Sequence, residues 1–98
     1  MAANRAGTVA CAIGGPIDRD ALPGLCDRFS AMLEDTTAAV ALCDVSELVA
    51  DAVTLDALAR LALAARRRGA QIRLVGASES LRALIAFTGL QDVLKESR

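Results

Sequence analysis

The chain has 98 residues, 54% of them apolar and only two of them aromatic, and carries a formal net charge of −1. That length holds one small domain with one modest core, here built from Ala, Leu, Val and Ile. The near-neutral charge gives no electrostatic footprint for nucleic acid, and the absence of histidine leaves zinc sites and Cys-His or Ser-His nucleophilic pairs without their usual partner.

Residues 1–7, MAANRAG, are small or polar and are expected to fray, with the domain itself over 8–98. From Thr8, TVACAI predicts a strand that GGPID breaks with two glycines and a proline. A paired edge strand around Gly14 to Ile17 would make the sheet mixed. RDALPGLCDRFSAML places Leu22, Leu25, Phe29, Met32 and Leu33 on one helical face, with Asp20 as the cap and Pro23 in the first turn. AAVALCDV, residues 38–45, is a continuous apolar run and predicts a strand buried on both faces. Beyond it, Leu55, Leu58, Leu61, Ala62 and Ala65 line a long helix, with Thr54 as its N-cap and Gly69 as its stop. The basic cluster Arg66 to Arg68 falls at that helix's C-terminus, where the macrodipole favours it. QIRLVG predicts another strand, SESLRALIAFTG a third helix between Ser78 and Gly89, and LQDVLKESR a short final helix or strand. Strand and helix alternate, so the class is α/β: a single domain with a mixed central sheet packed by about four α-helices.

No apolar run reaches the ~18 residues of a membrane span, so membrane insertion is not expected. The N-terminal segment lacks the pattern of a secretory signal, which predicts a cytoplasmic protein. Cys11, Cys26 and Cys43 have no CxxC spacing and are expected to be small hydrophobes in a reducing compartment. Neither GxGxxG nor GxxxxGK(S/T) occurs, and no cofactor is expected. Asp44, Asp51 and Asp56 could be taken for paired carboxylates or a Mg²⁺ site. No base or activated nucleophile stands near them in the sequence, and each suits a strand end, a loop or a first helical turn. An enzyme is therefore not expected. An exposed edge near Val9 to Ile13 could serve self-pairing or partner contact.

The order of elements, with GGPID, VALCDVSEL and ADAVTLDALARLALAARRRGAQIRLVGASESLRALIAFTGL, resembles a STAS domain. That family includes bacterial anti-sigma factor antagonists and the cytoplasmic domains of sulfate transporters. The resemblance implies a protein-interaction module that docks on a serine-kinase-like ATPase, the anti-sigma factor, through the loop and helix at 44–60. Partner contacts are then expected at Asp18, Asp51, Ala52, Val53, Thr54, Asp56 and Ala57. In the family, a serine at the start of the second helix accepts a phosphate that ends binding. Here Ala52 and Val53 occupy the two serine positions, which leaves Thr54 as the candidate phosphoacceptor and Ser46 as a weaker one. The alternative implied by the same resemblance is a constitutive STAS subunit of an ABC-type phospholipid transport complex, with an ABC ATPase as partner.

Overall fold

The computed structural model describes residues 7–97. Four strands, β1 (Thr8–Ala12), β2 (Val40–Asp44), β3 (Gln71–Val75) and β4 (Lys95–Glu96), form one sheet in the order β1-β2-β3-β4. All three pairings are parallel. Between the strands run the helices α1 (Leu22–Glu34), α2 (Ala52–Arg67) and α3 (Glu79–Thr88), with a 3₁₀ turn at Arg19–Ala21.

A parallel sheet whose spatial order repeats the chain order, connected by right-handed crossovers, places every crossover helix on the same face. The strands obey this. Ala41 and Cys43 of β2 and Ile72 and Leu74 of β3 point into the core, whereas Val40, Leu42, Gln71 and Val75 do not. On the covered face, Leu58, Leu61, Ala62 and Ala65 of α2, Phe29 and Leu33 of α1, and Leu81 and Ile85 of α3 join the strand residues in one cluster. Ala41, Ala57 and Ala65 are fully buried. These small side chains let the helices lie close on the sheet.

The α/β class, the single sheet and the alternation of elements agree with the sequence reading, and four details differ. First, the sheet is parallel throughout among the described residues, and no edge strand forms at 14–17. Pro16 cannot donate to a ladder, and the chain at Gly15 is committed elsewhere. A Cβ there would stand 3.0 Å from Leu48 Cδ2 and 3.1 Å from the Glu47 carbonyl oxygen. Second, β2 is buried on one face only, its apolar Val40 and Leu42 facing the uncovered side.

Third, neither expected N-cap holds. The 3₁₀ turn takes up Asp20, the Ala21 N–H donates to the Asp18 carbonyl, and α1 starts after Ala21 without a side-chain cap. For α2 the cap is Asp51, whose Oδ1 accepts from the Thr54 N–H at 2.9 Å. A carboxylate at that place also faces the positive end of the helix dipole. Fourth, the described residues form three α-helices and the 3₁₀ turn, and the segment after α3 contributes the two-residue strand β4. Of the seven residues expected to fray, 1–6 lie outside the described residues, and the Gly7 carbonyl accepts from the Ala39 N–H at 2.9 Å.

The remaining helix ends follow the sequence. Ser78 Oγ accepts from the Leu81 N–H at 3.1 Å, and Gly89 closes α3 in the left-handed region. Arg66 and Arg67 occupy the last turn of α2, and Arg68 just beyond it donates to Glu34 Oε2 at 2.7 Å, joining the C-termini of α1 and α2.

Candidate functional site

The loops beyond the carboxyl ends of the strands form one rim of the sheet, the end at which open α/β folds hold their ligands. Three loops converge there: 13–18 after β1, 45–51 after β2 and 76–78 after β3. The middle loop is built from both neighbours. The Val45 N–H donates to the Val75 carbonyl at 2.9 Å, and Leu48 packs against the chain at Gly15. Val45 and Leu48 are both buried and pin the loop, so the residues between and after them, Ser46, Glu47, Val49 and Asp51, are turned outward.

Asp44, the last residue of β2, organises the turn. Its Oδ1 accepts from Ser46 Oγ at 2.7 Å and from the Ser46 N–H at 3.0 Å, and these bonds, side chain first, hold the Asp44 carboxyl below the usual carboxylate range. Gly76 sits against this turn with φ of +76°, where an added Cβ would lie 3.0 Å from Ser46 Cβ and 3.4 Å from Asp44 Oδ1. Asp51 then caps α2, and the backbone N–H of Thr54 is the main cause that keeps its carboxyl low as well.

The expected site residues separate by exposure. Asp18, Asp51 and Ala52 are exposed and Val53 is half-buried, so these lie within reach of a partner. Asp56 is half-buried and engaged: Arg60 Nε donates to its Oδ1 at 2.9 Å, and Arg19 lies 3.7 Å from its Oδ2. The Arg60 hydrogen bond is the first cause of its lowered pKa. The Arg19 contact draws the 3₁₀ turn, and with it Asp18, toward the first turns of α2. Ala57 is fully buried and Thr54 is 1% exposed. Both point into the core. Glu47 and Val49, the latter 56% exposed, stand on the same outward surface and were not singled out by sequence. Nothing in the spacing of SELVADA tells which of its apolar residues turn inward.

Among the described residues, no group of three or more Cys, Asp or Glu side chains is placed to hold a metal ion. Nor is any helix among them long and apolar enough to cross a membrane.

The STAS domain family matches residues 1–97. This chain belongs to that family. Among solved structures the STAS domain is similar to the one described as the anti-sigma factor antagonist SpoIIAA in its unphosphorylated form. That likeness has a TM-score of 0.68 at 17% identity and covers all of this chain and 84% of that one. It is also similar to a sulfate transporter family protein from Wolinella succinogenes, with a TM-score of 0.67 at 24% identity, covering 89% of this chain and 70% of that one. At these identities both likenesses speak for the fold. No curated protein matches the chain in sequence.

Proposed function

We propose that this STAS domain is a protein-docking regulatory module of the anti-sigma factor antagonist kind, which binds a kinase-like ATPase through the junction at 44–60. It works as a binding surface and catalyses nothing itself. The observation that carries this reading is the outward surface made by Ser46, Glu47, Val49, Asp51 and Ala52, mounted on a loop pinned by Val45 and Leu48 and on the capped start of α2. A surface held this rigidly loses little side-chain and loop freedom on association, and it mixes an exposed apolar side chain with carboxylates.

Control by phosphate fits Ser46 better than Thr54. The Thr54 side chain is buried under the first turn of α2, and a kinase could reach it only after that turn opens. Ser46 is exposed, and a phosphate there would add about 1.5 to 2 negative charges beside the Asp44 carboxylate that its hydroxyl now donates to. The resulting repulsion would unmake the turn. The same burial of Thr54 favours a second reading, the constitutive STAS subunit of an ABC-type phospholipid transport complex, in which no hydroxyl is needed at the junction.

Affinity capture from the source cells, with identification of the retained ATPase, tests both. A histidine-kinase-like ATPase supports the regulator and an ABC ATPase the transport subunit. In either case Ala52→Arg weakens capture by about tenfold or more, worth about 1.4 kcal/mol, while Phe87→Ser, on the exposed far end of α3, leaves it unchanged. Equal capture by the wild type and Ala52→Arg would remove the junction as the docking surface.

A further inference from the structure

Cys11 of β1 and Cys43 of β2 are register partners on the covered face of the sheet. Their Sγ atoms are 3.6 Å apart, and both thiols are free. The two differ in access. Cys43 is fully buried, whereas Cys11 is half-buried and lines a groove of about 150 Å³ formed with Leu25, Arg28, Phe29 and Met32 of α1. Arg28 is exposed at this groove and supplies its positive charge. A small oxidant therefore has a path to one sulfur, and the second sulfur waits behind it, out of solvent.

We propose that Cys11 and Cys43 form a dithiol modification site, which a hydroperoxide converts into a disulfide between β1 and β2. The geometry allows the bond. Neighbouring strands lie about 4.8 Å apart, inside the Cα range of roughly 4.4 to 6.8 Å that disulfides span. The sulfurs must close from 3.6 Å to about 2.0 Å, which rotation about χ1 supplies with the groove as free space beside Cys11.

The chemistry balances in two steps. The Cys11 thiolate attacks one peroxide oxygen, the O–O bond breaks, and the products are a sulfenic acid on Cys11 and a hydroxide that takes up a proton as water. Cys43 Sγ then attacks the Cys11 sulfur, the S–O bond breaks, and the departing oxygen leaves as a second water with the Cys43 proton. Two thiols and one hydrogen peroxide give one disulfide and two waters. The order of attack follows from the pair itself: the Cys43 S–H can donate to a thiolate at Cys11, which brings Cys11 down to about 7, while the same contact and burial push Cys43 up. Cys26, half-buried on α1 with no neighbouring thiol, has no such assistance, and burial raises its pKa.

The test treats the folded domain with hydrogen peroxide, removes the peroxide, unfolds the protein in guanidinium with iodoacetamide so that the buried Cys43 is also reached, and maps the cysteines by mass spectrometry. The expected result is one intramolecular peptide pair linked through Cys11 and Cys43, two hydrogens lighter than its parts, restored by dithiothreitol and formed equally well in Cys26→Ala. The rate rises as pH is raised through about 7. In Cys43→Ala, whose small side chain suits the site, Cys11 loses the Cys43 S–H donor and oxidises more slowly, but with no second thiol to displace the oxygen it stops at the sulfenic acid, which dimedone traps. Wild-type protein in which Cys43 remains alkylatable while Cys11 goes on to the sulfinic acid overturns the proposal, as does a linkage formed only between chains.

Discussion

At the scale of single residues the junction after β2 depends on what its neighbours leave room for. Gly76 is the clearest case, because it combines a left-handed backbone with an approach to Ser46 that a side chain cannot share. Gly76→Ala is expected to cost about 1 to 2 kcal/mol from the backbone alone, and more from the 3.0 Å contact with Ser46 Cβ. Gly14→Ala, whose Cβ would meet nothing within 4 Å, should stay within about 0.5 kcal/mol of the wild type. Thermal melts of the two variants compare them directly. Asp51 offers a test in pH. Its carboxyl is held low in the folded state, chiefly by the Thr54 N–H, so the stability it contributes is complete above the ordinary carboxylate value near 4 and is lost as pH falls through the lower folded value. Asp51→Asn keeps a capping side chain but not the charge. Its melting temperature should therefore lie below that of the wild type at pH 6, and the gap should narrow steadily in melts taken from pH 5 down to pH 2.

At the scale of elements, α2 anchors the core and carries part of the candidate surface at its capped start. Leu58 is fully buried beneath it, whereas Leu63 on its outer side is 50% exposed. Leu58→Ala should cost about 2 to 5 kcal/mol and Leu63→Ala less than about 0.5 kcal/mol, as read from urea denaturation. This helix was legible in the sequence because its leucines and alanines repeat with helical spacing and a glycine follows them. Its first turn was less legible. Both Asp51 and Thr54 are capping residues by type, and sequence favoured the hydroxyl nearer the periodic run; the carboxylate wins because it also meets the helix dipole. That shift of three residues turns Thr54 inward, which is why the most natural phosphoacceptor by sequence has the least accessible hydroxyl of the junction. In β2 the difficulty was of another kind. Val40 and Leu42 are as apolar as Ala41 and Cys43, so composition alone could not show that one face lacks a covering layer. The strand-to-helix junction after β2 could be read from the chain, but which of its side chains face outward depends on the packing of Val45 and Leu48 and on the contact at Gly15.

At the scale of the whole molecule, the strand order makes the domain two-sided. All three helices lie over Ala41, Cys43, Ile72 and Leu74, and the opposite face presents Thr8, Ala10, Ala12, Leu42, Arg73 and Lys95 without a covering helix among the described residues. Two alanines then respond in opposite ways to the same change. Ala12→Lys adds a charge on the open face beside its register partner Asp44 and should leave stability within about 0.5 kcal/mol. Ala41→Lys puts the charge in the core, where Ala41 has no exposure, and should cost more than about 4 kcal/mol or prevent folding. Circular dichroism with urea titration separates these outcomes. Equal tolerance at both positions would contradict the one-sided layer.

The order β1-β2-β3-β4 also bears on how the chain is made. Among the described residues each strand after the first joins the free edge left by the strand before it, and none of them has to enter between two that are already paired. A chain emerging from the ribosome N-terminus first finds every partner strand already synthesised when the next one arrives. The sheet can therefore grow in the direction of translation, one strand and one covering helix at a time, and the junction that follows β2 is framed on its last side only when β3 brings Gly76 against Ser46.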